Sequence, residues 1–283
     1  MNANDVIEEY LLEMRLNGSD LTVRNYRSCL MAAKYWFEDQ GEELIKAQKN
    51  TILAYANHLL FVLDKPLMVS TVSTKLNILR SFYSHCVESG HIEKNPCQKS
   101  IKLKEETRAP VYLTIQESYT LIDSVKNRRD RLIITIFLLT GVRVSELLNI
   151  KVEDIDLESG TVKVFGKGRK ERYVIIDRPL CKDITNYIKK SESSAGDRLF
   201  NLTPRTLQYM IKKYGQSCGF SKNLTPHKLR HTFATLFIQS GGNVILLQKL
   251  LGHSSTAITE RYTHYNVETS RQEIYSKFPL MRE

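Results

Sequence analysis

Apolar residues in the first hundred positions recur every three or four residues, which is the spacing of amphipathic helices. Gly18, Gly41, Pro66 and Gly90 interrupt this pattern at points where helices end. Ser19 or the aspartate after it can cap the second helix. We therefore predict a bundle of four helices near residues 6–17, 19–40, 51–63 and 70–89.

The second part of the chain begins with helical signals and then changes period. Thr114 can cap a helix, and the apolar run RLIITIFLLTG predicts a buried helix after it. From Ile155 to Asp177 apolar and polar residues alternate, with turn residues at Ser159-Gly160 and at Gly166 to Gly168. This segment predicts three short antiparallel strands.

Helices resume near Pro179. Thr203-Pro204 and Thr225-Pro226 each combine a capping residue with a first-turn proline, so a helix is predicted to begin at each. Gly241-Gly242 ends the second of these helices, and two short ones follow in VILLQKLLG and STAITERYTHY. The predicted fold class is mainly α with a small antiparallel β-sheet.

A segment without sustained periodicity separates the two parts. Residues 95–110, NPCQKSIKLKEETRAP, contain a proline near each end and four basic side chains that could follow a phosphate backbone. We expect a helical domain over residues 1–94, a linker over 95–110 and a second domain over 111–283.

The net charge of +10 is unevenly distributed. Residues 1–110 carry 14 basic and 14 acidic side chains, whereas residues 111–283 carry 27 basic and 17 acidic ones. A positive field of this kind attracts polyanions, although a solvated basic surface explains it equally well.

The composition also indicates a compartment. The five cysteines are scattered without a CxxC pair, as in a reduced cytosolic protein. No apolar run approaches the roughly 18 residues of a membrane span, and the acidic N-terminus does not resemble a signal peptide. We expect a soluble protein in the cytoplasm that does not associate with a membrane.

The stretch TPHKLRHTFAT concentrates candidate chemistry in the first turn of a helix. With Thr225 as the cap, His227 and Arg230 are three residues apart and share a face on which an anion would be favoured. Two alternatives compete: an exposed basic helix start, or a metal site formed by His227 and His231. Lys228 occupies the place where a metallohydrolase has its glutamate, which disfavours the metal.

Five blocks occur in a fixed order over residues 139–265 and resolve these alternatives: TGVRVSELLNIKVEDID, GKGRKER, LTPHKLRHTFAT, LLGHSS and RYTHY. Together they resemble the catalytic domain of the tyrosine recombinases, the phage integrase family, and most closely the Xer type. The helical bundle and linker resemble the core-binding (SAM-like) domain of the same family in pattern and length.

The resemblance implies six catalytic positions and one supporting residue. Each position holds the residue type that the family expects, and Glu146 matches an acidic position that supports the site. The six are Arg143, Lys167, His227, Arg230, His253 and the nucleophile Tyr262.

These residue types also suit phosphodiester chemistry. The guanidinium groups of Arg143 and Arg230 can bind the non-bridging oxygens, and with Lys167 they neutralise the charge without a metal or another cofactor. Tyr262 needs a base to accept its proton, for which His227 is the candidate. His253 would donate to a non-bridging oxygen, and Lys167, between two glycines, would protonate the departing 5′-oxygen.

The resemblance further implies a 3′-phosphotyrosyl intermediate, religation without ATP and strand exchange through a Holliday junction. Four protomers would act on two double-stranded DNA sites. The tail, residues 266–283, resembles a segment that packs on the neighbouring protomer, and its candidate docking residues are Val267, Ile274 and Phe278.

The biological role has several alternatives. The helical bundle begins close to Met1, which favours a minimal Xer-like recombinase that resolves chromosome or plasmid dimers at the nucleoid. A mobile-element integrase, a type IB topoisomerase and a DNA-binding regulator that does not cleave remain the alternatives. Candidate DNA contacts in the first part of the chain, with solvated charge as the competing interpretation, are Arg24, Arg27, Lys75 and Arg80.

Overall fold

The computed structural model of the chain describes residues 2–97, 103, 111–166, 171–252, 278 and 280. The chain divides into two compact units, residues 1–108 and 109–283, each with its own hydrophobic core. The division falls inside the segment predicted as a linker.

The first unit is a bundle of four α-helices with one irregular continuation. A 3-10 turn, Leu44–Lys46, precedes the third helix, and a π-helical stretch, His58–Val62, extends it. The helices are α1 (Ala3–Asn17), α2 (Asp20–Asp39), α3 (Lys49–Asn57) and α4 (Val69–Glu88). The four predicted helices are thus confirmed, and the single helix expected over residues 51–63 is an α-helix that widens into a π-helix.

Side-chain caps explain where the first two helices begin. The Asn2 side chain accepts hydrogen bonds from the first turn of α1, and Asp5 closes a capping box with it. Ser19 caps α2, as predicted. The core between the helices combines aliphatic and aromatic side chains, and Tyr83 within it donates its hydroxyl proton to the Leu44 carbonyl oxygen at 2.8 Å.

The second unit holds seven further α-helices among the residues that the structure describes. They are α5 (Ile115–Ser124), α6 (Arg128–Thr140), α7 (Val144–Asn149), α8 (Arg178–Ser191), α9 (Pro204–Ser217), α10 (Pro226–Gln239) and α11 (Val244–Leu251). The predicted caps Thr114, Thr203 and Thr225 all accept a backbone hydrogen bond in the first turn of their helices. The six-residue α7 is too short for a periodic pattern to reveal, and the sequence analysis did not separate it.

Helix α6 is the centre of this unit. Its residues from Leu132 to Thr140 are almost all buried, and α5, α8 and α10 pack around it. A helix that is apolar on every side must be enclosed in this way. α6 ends at Gly141, whose positive φ of 60° is a left-handed conformation that favours glycine. A side chain there would also collide with Leu251 and Phe233.

Three short strands form an antiparallel sheet in the order β1-β2-β3. They are β1 (Ile155–Asp156), β2 (Thr161–Phe165) and β3 (Glu171–Ile175). Val162 pairs with Val174 and Val164 pairs with Arg172, which places these four residues on the inner face. The prediction of a mainly helical chain with a small antiparallel sheet is confirmed. No helix in the described part of the chain is long and apolar enough to cross a membrane.

Candidate active site

The structure brings Arg143, His227 and Arg230 to one groove. A concavity of about 560 Å³ is lined by these three residues, by α7 and by the start of α9. An adjoining concavity of about 460 Å³ shares His227 and adds Arg205 and Lys212 of α9. The prediction that His227 and Arg230 share one face of α10 is therefore confirmed.

Glu146 is the centre of the charge network below this groove. Its side chain is fully buried and accepts hydrogen bonds at 2.7 Å from the backbone and the guanidinium of Arg143. It also accepts one at 2.7 Å from Arg172 Nη2, and Arg230 Nη1 lies 3.9 Å away. Glu146 closes a capping box with Arg143 at the start of α7, so a local helix signal and the charge network coincide.

The carboxylate stays ionised despite its burial. Burial alone would raise the pKa of Glu146, but the charge of Arg172 and the hydrogen bonds and charge of Arg143 outweigh it, so the pKa lies below its ordinary value. The carboxylate of Glu146 therefore holds Arg143 and Arg172 directly and lies near Arg230. The positions of these guanidinium groups are fixed before any phosphate binds, and the group keeps a net positive charge.

Arg230 is held by two backbone carbonyl groups. Its Nη1 donates to the Gly141 oxygen and its Nη2 to the Leu251 oxygen, both at 2.6 Å. Burial and the neighbouring Arg143 lower the pKa of Arg230 to about 10, so it remains cationic at neutral pH. Arg143 is more accessible, with 37% of its side chain exposed, and its Nη2 donates to the Gly252 oxygen at 2.9 Å.

His227 is exposed at the start of α10 and surrounded by positive charge. Burial of part of the ring, followed by the charges of His231, Arg230 and Arg143, lowers the pKa of His227 below its ordinary value. The ring of His231 lies edge-to-face against it, with centroids 4.5 Å apart. A lowered pKa favours the neutral imidazole, which is the form that can accept a proton.

Three of the six predicted catalytic positions, Lys167, His253 and Tyr262, lie outside the described residues, as do the tail candidates Val267 and Ile274. Phe278 is described, and it is buried in its own chain against Phe233 and Phe237, with ring centroids 5.1 and 6.4 Å away. In the single chain this predicted docking residue thus occupies a site on the core of its own second unit.

Two of the four candidate DNA contacts are engaged within the first unit. Arg27 forms an ion pair with Glu8, and Arg80 donates to the Cys97 carbonyl oxygen and to Asn77. Arg24 is exposed and Lys75 is half-buried. The role of all four in DNA binding stays a prediction.

Arg172, which the structure places beside Glu146, was not among the predicted site residues. A signal was present, because Arg172 lies two residues before Val174 and so on the same face of β3, and Val174 is buried. An arginine on the inner face of a strand requires a buried partner, and Glu146 is that partner.

Known proteins share the sequence pattern of this chain. The pattern of the phage integrase family matches residues 112–269, and that of the phage integrase SAM-like domain matches residues 2–103. Tyrosine recombinase XerC of Staphylococcus carnosus is 32% identical over 97% of this chain and 96% of its own length. Tyrosine recombinase XerC of Halalkalibacterium halodurans is 34% identical over 92% of each chain.

Solved structures of recombinases share the fold. The crystal structure of XerA recombinase is 28% identical and covers 96% of this chain and 97% of its own, with a TM-score of 0.50. XerH site-specific recombinase bound to its difH substrate, in a pre-cleavage complex, is 24% identical and covers 94% of this chain and 82% of its own, with a TM-score of 0.68. The protein is a member of the phage integrase family, and thus a tyrosine recombinase.

Proposed function

We propose that the protein is a site-specific DNA recombinase that cleaves each strand with Tyr262 and rejoins it to another strand. The observation that carries this proposal is the convergence of Arg143, Arg230 and His227 on one groove above buried Glu146. A phosphodiester in that groove would meet two fixed cations and a neutral imidazole, which are the groups that strand cleavage by a tyrosine requires.

The proposed reaction divides the work among these side chains. His227 accepts the proton of Tyr262 as its phenolic oxygen attacks phosphorus. Arg143 and Arg230 stabilise the charge that accumulates on the non-bridging oxygens, a contribution that commonly amounts to 10²–10³ in rate for each donor. His253 assists at the same oxygens, and Lys167 protonates the departing 5′-oxygen. The 3′-phosphotyrosyl ester conserves the bond energy for religation.

The biological role that we propose is the resolution of chromosome or plasmid dimers in the cytoplasm, at the nucleoid. It is supported by relatives that carry the names XerC and, at 30% identity over 96% of this chain, XerD of Staphylococcus haemolyticus. Four protomers would assemble on two DNA sites. In that assembly we expect the Phe278 of each tail to occupy the Phe233–Phe237 site of a neighbour.

A nicked suicide substrate tests the chemistry. Wild-type protein should form a covalent DNA–protein product, and Tyr262→Phe should bind the same DNA without forming it. EDTA should change neither result, since the arginines supply the charge. Loss of product in EDTA, or persistence of product in Tyr262→Phe, would contradict the proposed mechanism. A supercoiled plasmid with two sites then separates strand exchange from simple relaxation.

A further inference from the structure

Arg172 has a position that phosphate binding does not explain. It lies on β3, pairs with Val164 across the sheet and points toward the interior, where only 12% of its side chain is exposed. It does not line the groove that holds Arg143, His227 and Arg230. We therefore look to the contacts of Arg172 with the rest of the protein for its role.

Those contacts connect three elements. Arg172 Nη2 donates to Glu146 of α7 at 2.7 Å, and its Nη1 donates to the carbonyl oxygen of Leu250 in the last turn of α11. The same Glu146 oxygen accepts the backbone N–H of Arg143. The guanidinium group of Arg172 thus links β3, Glu146 of α7 and the end of α11. Because the guanidinium group is planar and rigid, it fixes the relative positions of these three elements.

The end of α11 is bound by three arginines in succession. The carbonyl oxygens of Leu250, Leu251 and Gly252 accept hydrogen bonds from Arg172, Arg230 and Arg143, respectively. These carbonyl groups lie at the negative end of the helix dipole and have no partner within the helix. Two of the three arginines face the groove, and Arg172 is the third.

Gly252 makes this close approach possible. It has a φ of +61°, and a Cβ atom there would lie 2.9 Å from Arg172 Nε and 3.0 Å from its Cδ. His253 follows Gly252 directly in the chain, and Lys167 belongs to the connection between β2 and β3, five residues before Arg172. Arg172 is therefore close in sequence to Lys167 and in contact with the end of α11, which His253 follows.

We propose that Arg172 is a positioning residue for strand cleavage, which ties β3 both to the last turn of α11 and to the carboxylate of Glu146 that also holds Arg143. The inference rests on the proposed cleavage function. By this link β3, which follows Lys167 in the sequence, and the last turn of α11, which precedes His253, are held at a set distance from Arg143 and Arg230. A displacement of about 1 Å in such a site commonly costs 10²-fold in rate.

The test compares Arg172→Met and Arg172→Lys with wild type. Methionine keeps an unbranched apolar stem but is shorter and removes the charge and every donor. Lysine keeps the charge but cannot serve both partners in fixed geometry. At saturating suicide substrate, covalent product should form about 100-fold more slowly with methionine and at an intermediate rate with lysine. Affinity for the DNA should change by less than about threefold, since Arg172 does not line the groove.

Arg129→Met is the matched control. Arg129 also pairs with a buried carboxylate, Asp130, but at the opposite end of α6, about 18 Å from Gly141 along the helix. Its loss should lower stability without slowing cleavage by folded protein. Any order of rates other than wild type, then lysine, then methionine, or an equal loss in the Arg129 variant, would overturn the proposal.

Hydrogen exchange on the DNA-free chain separates this inference from the function itself. Arg172→Met should accelerate amide exchange in α11 and β3, whereas Arg129→Met should not. If exchange is faster in Arg172→Met but the wild-type protein forms no covalent product, the structural link is supported and the cleavage function is refuted. Unchanged exchange together with normal cleavage would refute the link and leave the function intact.

Discussion

At the scale of single residues, the site depends on how a few charges are balanced. Glu146 is the buried negative partner of Arg143 and Arg172 and lies near Arg230. Removing one member of such a buried group commonly costs about 3–5 kcal/mol, because the remaining charges lose their partner without regaining water. The network therefore contributes to stability and, in the proposed reaction, presents cations to a phosphate.

The pair of histidines gives a prediction about pH. His231 is among the causes that lower the pKa of His227, so His231→Ala should raise that pKa. In the proposed mechanism cleavage needs neutral His227, so the cleavage rate falls as the pH drops through this pKa. The acid limb of the single-turnover rate profile should therefore move to higher pH in His231→Ala.

Lys228→Ala is the control for this prediction. Lys228 lies in the same turn, but its ammonium group donates to the Asn223 carbonyl oxygen and does not contribute to the shift at His227. Its removal should leave the acid limb in place. A profile that is unchanged in His231→Ala would mean that His227 is not the titrating base.

At the scale of elements, two helix ends build the site. α6 ends at Gly141 and α11 ends at Gly252, both in the left-handed conformation, and the carbonyl oxygens of Gly141 and Gly252 accept hydrogen bonds from Arg230 and Arg143. Cationic side chains are favourable at helix C-termini, since they satisfy the last carbonyl groups and the dipole. The same guanidinium groups thus stabilise the helices and face the groove.

Substitution of Gly141 tests this role of the helix ends. In Gly141→Ala the positive φ is strained, and the new methyl group would lie 2.8 Å from Leu251 Cδ2, so we expect destabilisation of about 2–4 kcal/mol in denaturant unfolding. Gly219→Ala is the comparison, because Gly219 also has a positive φ but nothing lies within 4 Å of its Cβ position. It should cost about 1 kcal/mol. Equal costs would show that packing around Gly141 contributes nothing.

At the scale of the whole molecule, the aromatic site for Phe278 connects folding with assembly. Phe278 is 1% exposed and packs against both Phe233 and Phe237 of its own chain. In the proposed tetramer the tail of a neighbour would take this place. In this exchange of tails, the contacts of Phe278 with its own Phe233 and Phe237 are replaced by the same contacts between protomers. A stable single chain and a tail-exchanged assembly can therefore both exist.

Phe278→Ala is predicted to affect both states. It should destabilise the second unit by about 3–5 kcal/mol, as expected for loss of a buried phenylalanine, and reduce formation of complexes containing two DNA sites in gel-shift assays. Ile238→Ala, which removes a partly exposed side chain from α10, should leave assembly unchanged. Normal assembly by Phe278→Ala, or by a chain lacking residues 266–283, would contradict exchange of the tail.

Much of the fold follows from local signals. Ser19, Thr114, Thr203 and Thr225 cap helices because each side-chain oxygen satisfies a backbone N–H of its own first turn. The three strands follow from alternation of apolar and polar residues. The extension of α3 by a π-helical stretch and the short α7 escaped prediction, since no local pattern distinguishes them.

The sequence by itself determined the family, most of the described helices with their capped starts, and the chemical types of the six proposed catalytic positions, because these depend on residue identity and spacing along the chain. Tertiary structure decided that Glu146 also joins Arg172, that Arg230 and Arg143 hold the end of α11, and that Phe278 lies on its own core. These contacts join residues 21 to 109 positions apart. A long-range contact depends on the path of the whole chain, so spacing alone does not reveal the carbonyl oxygens that an arginine will reach.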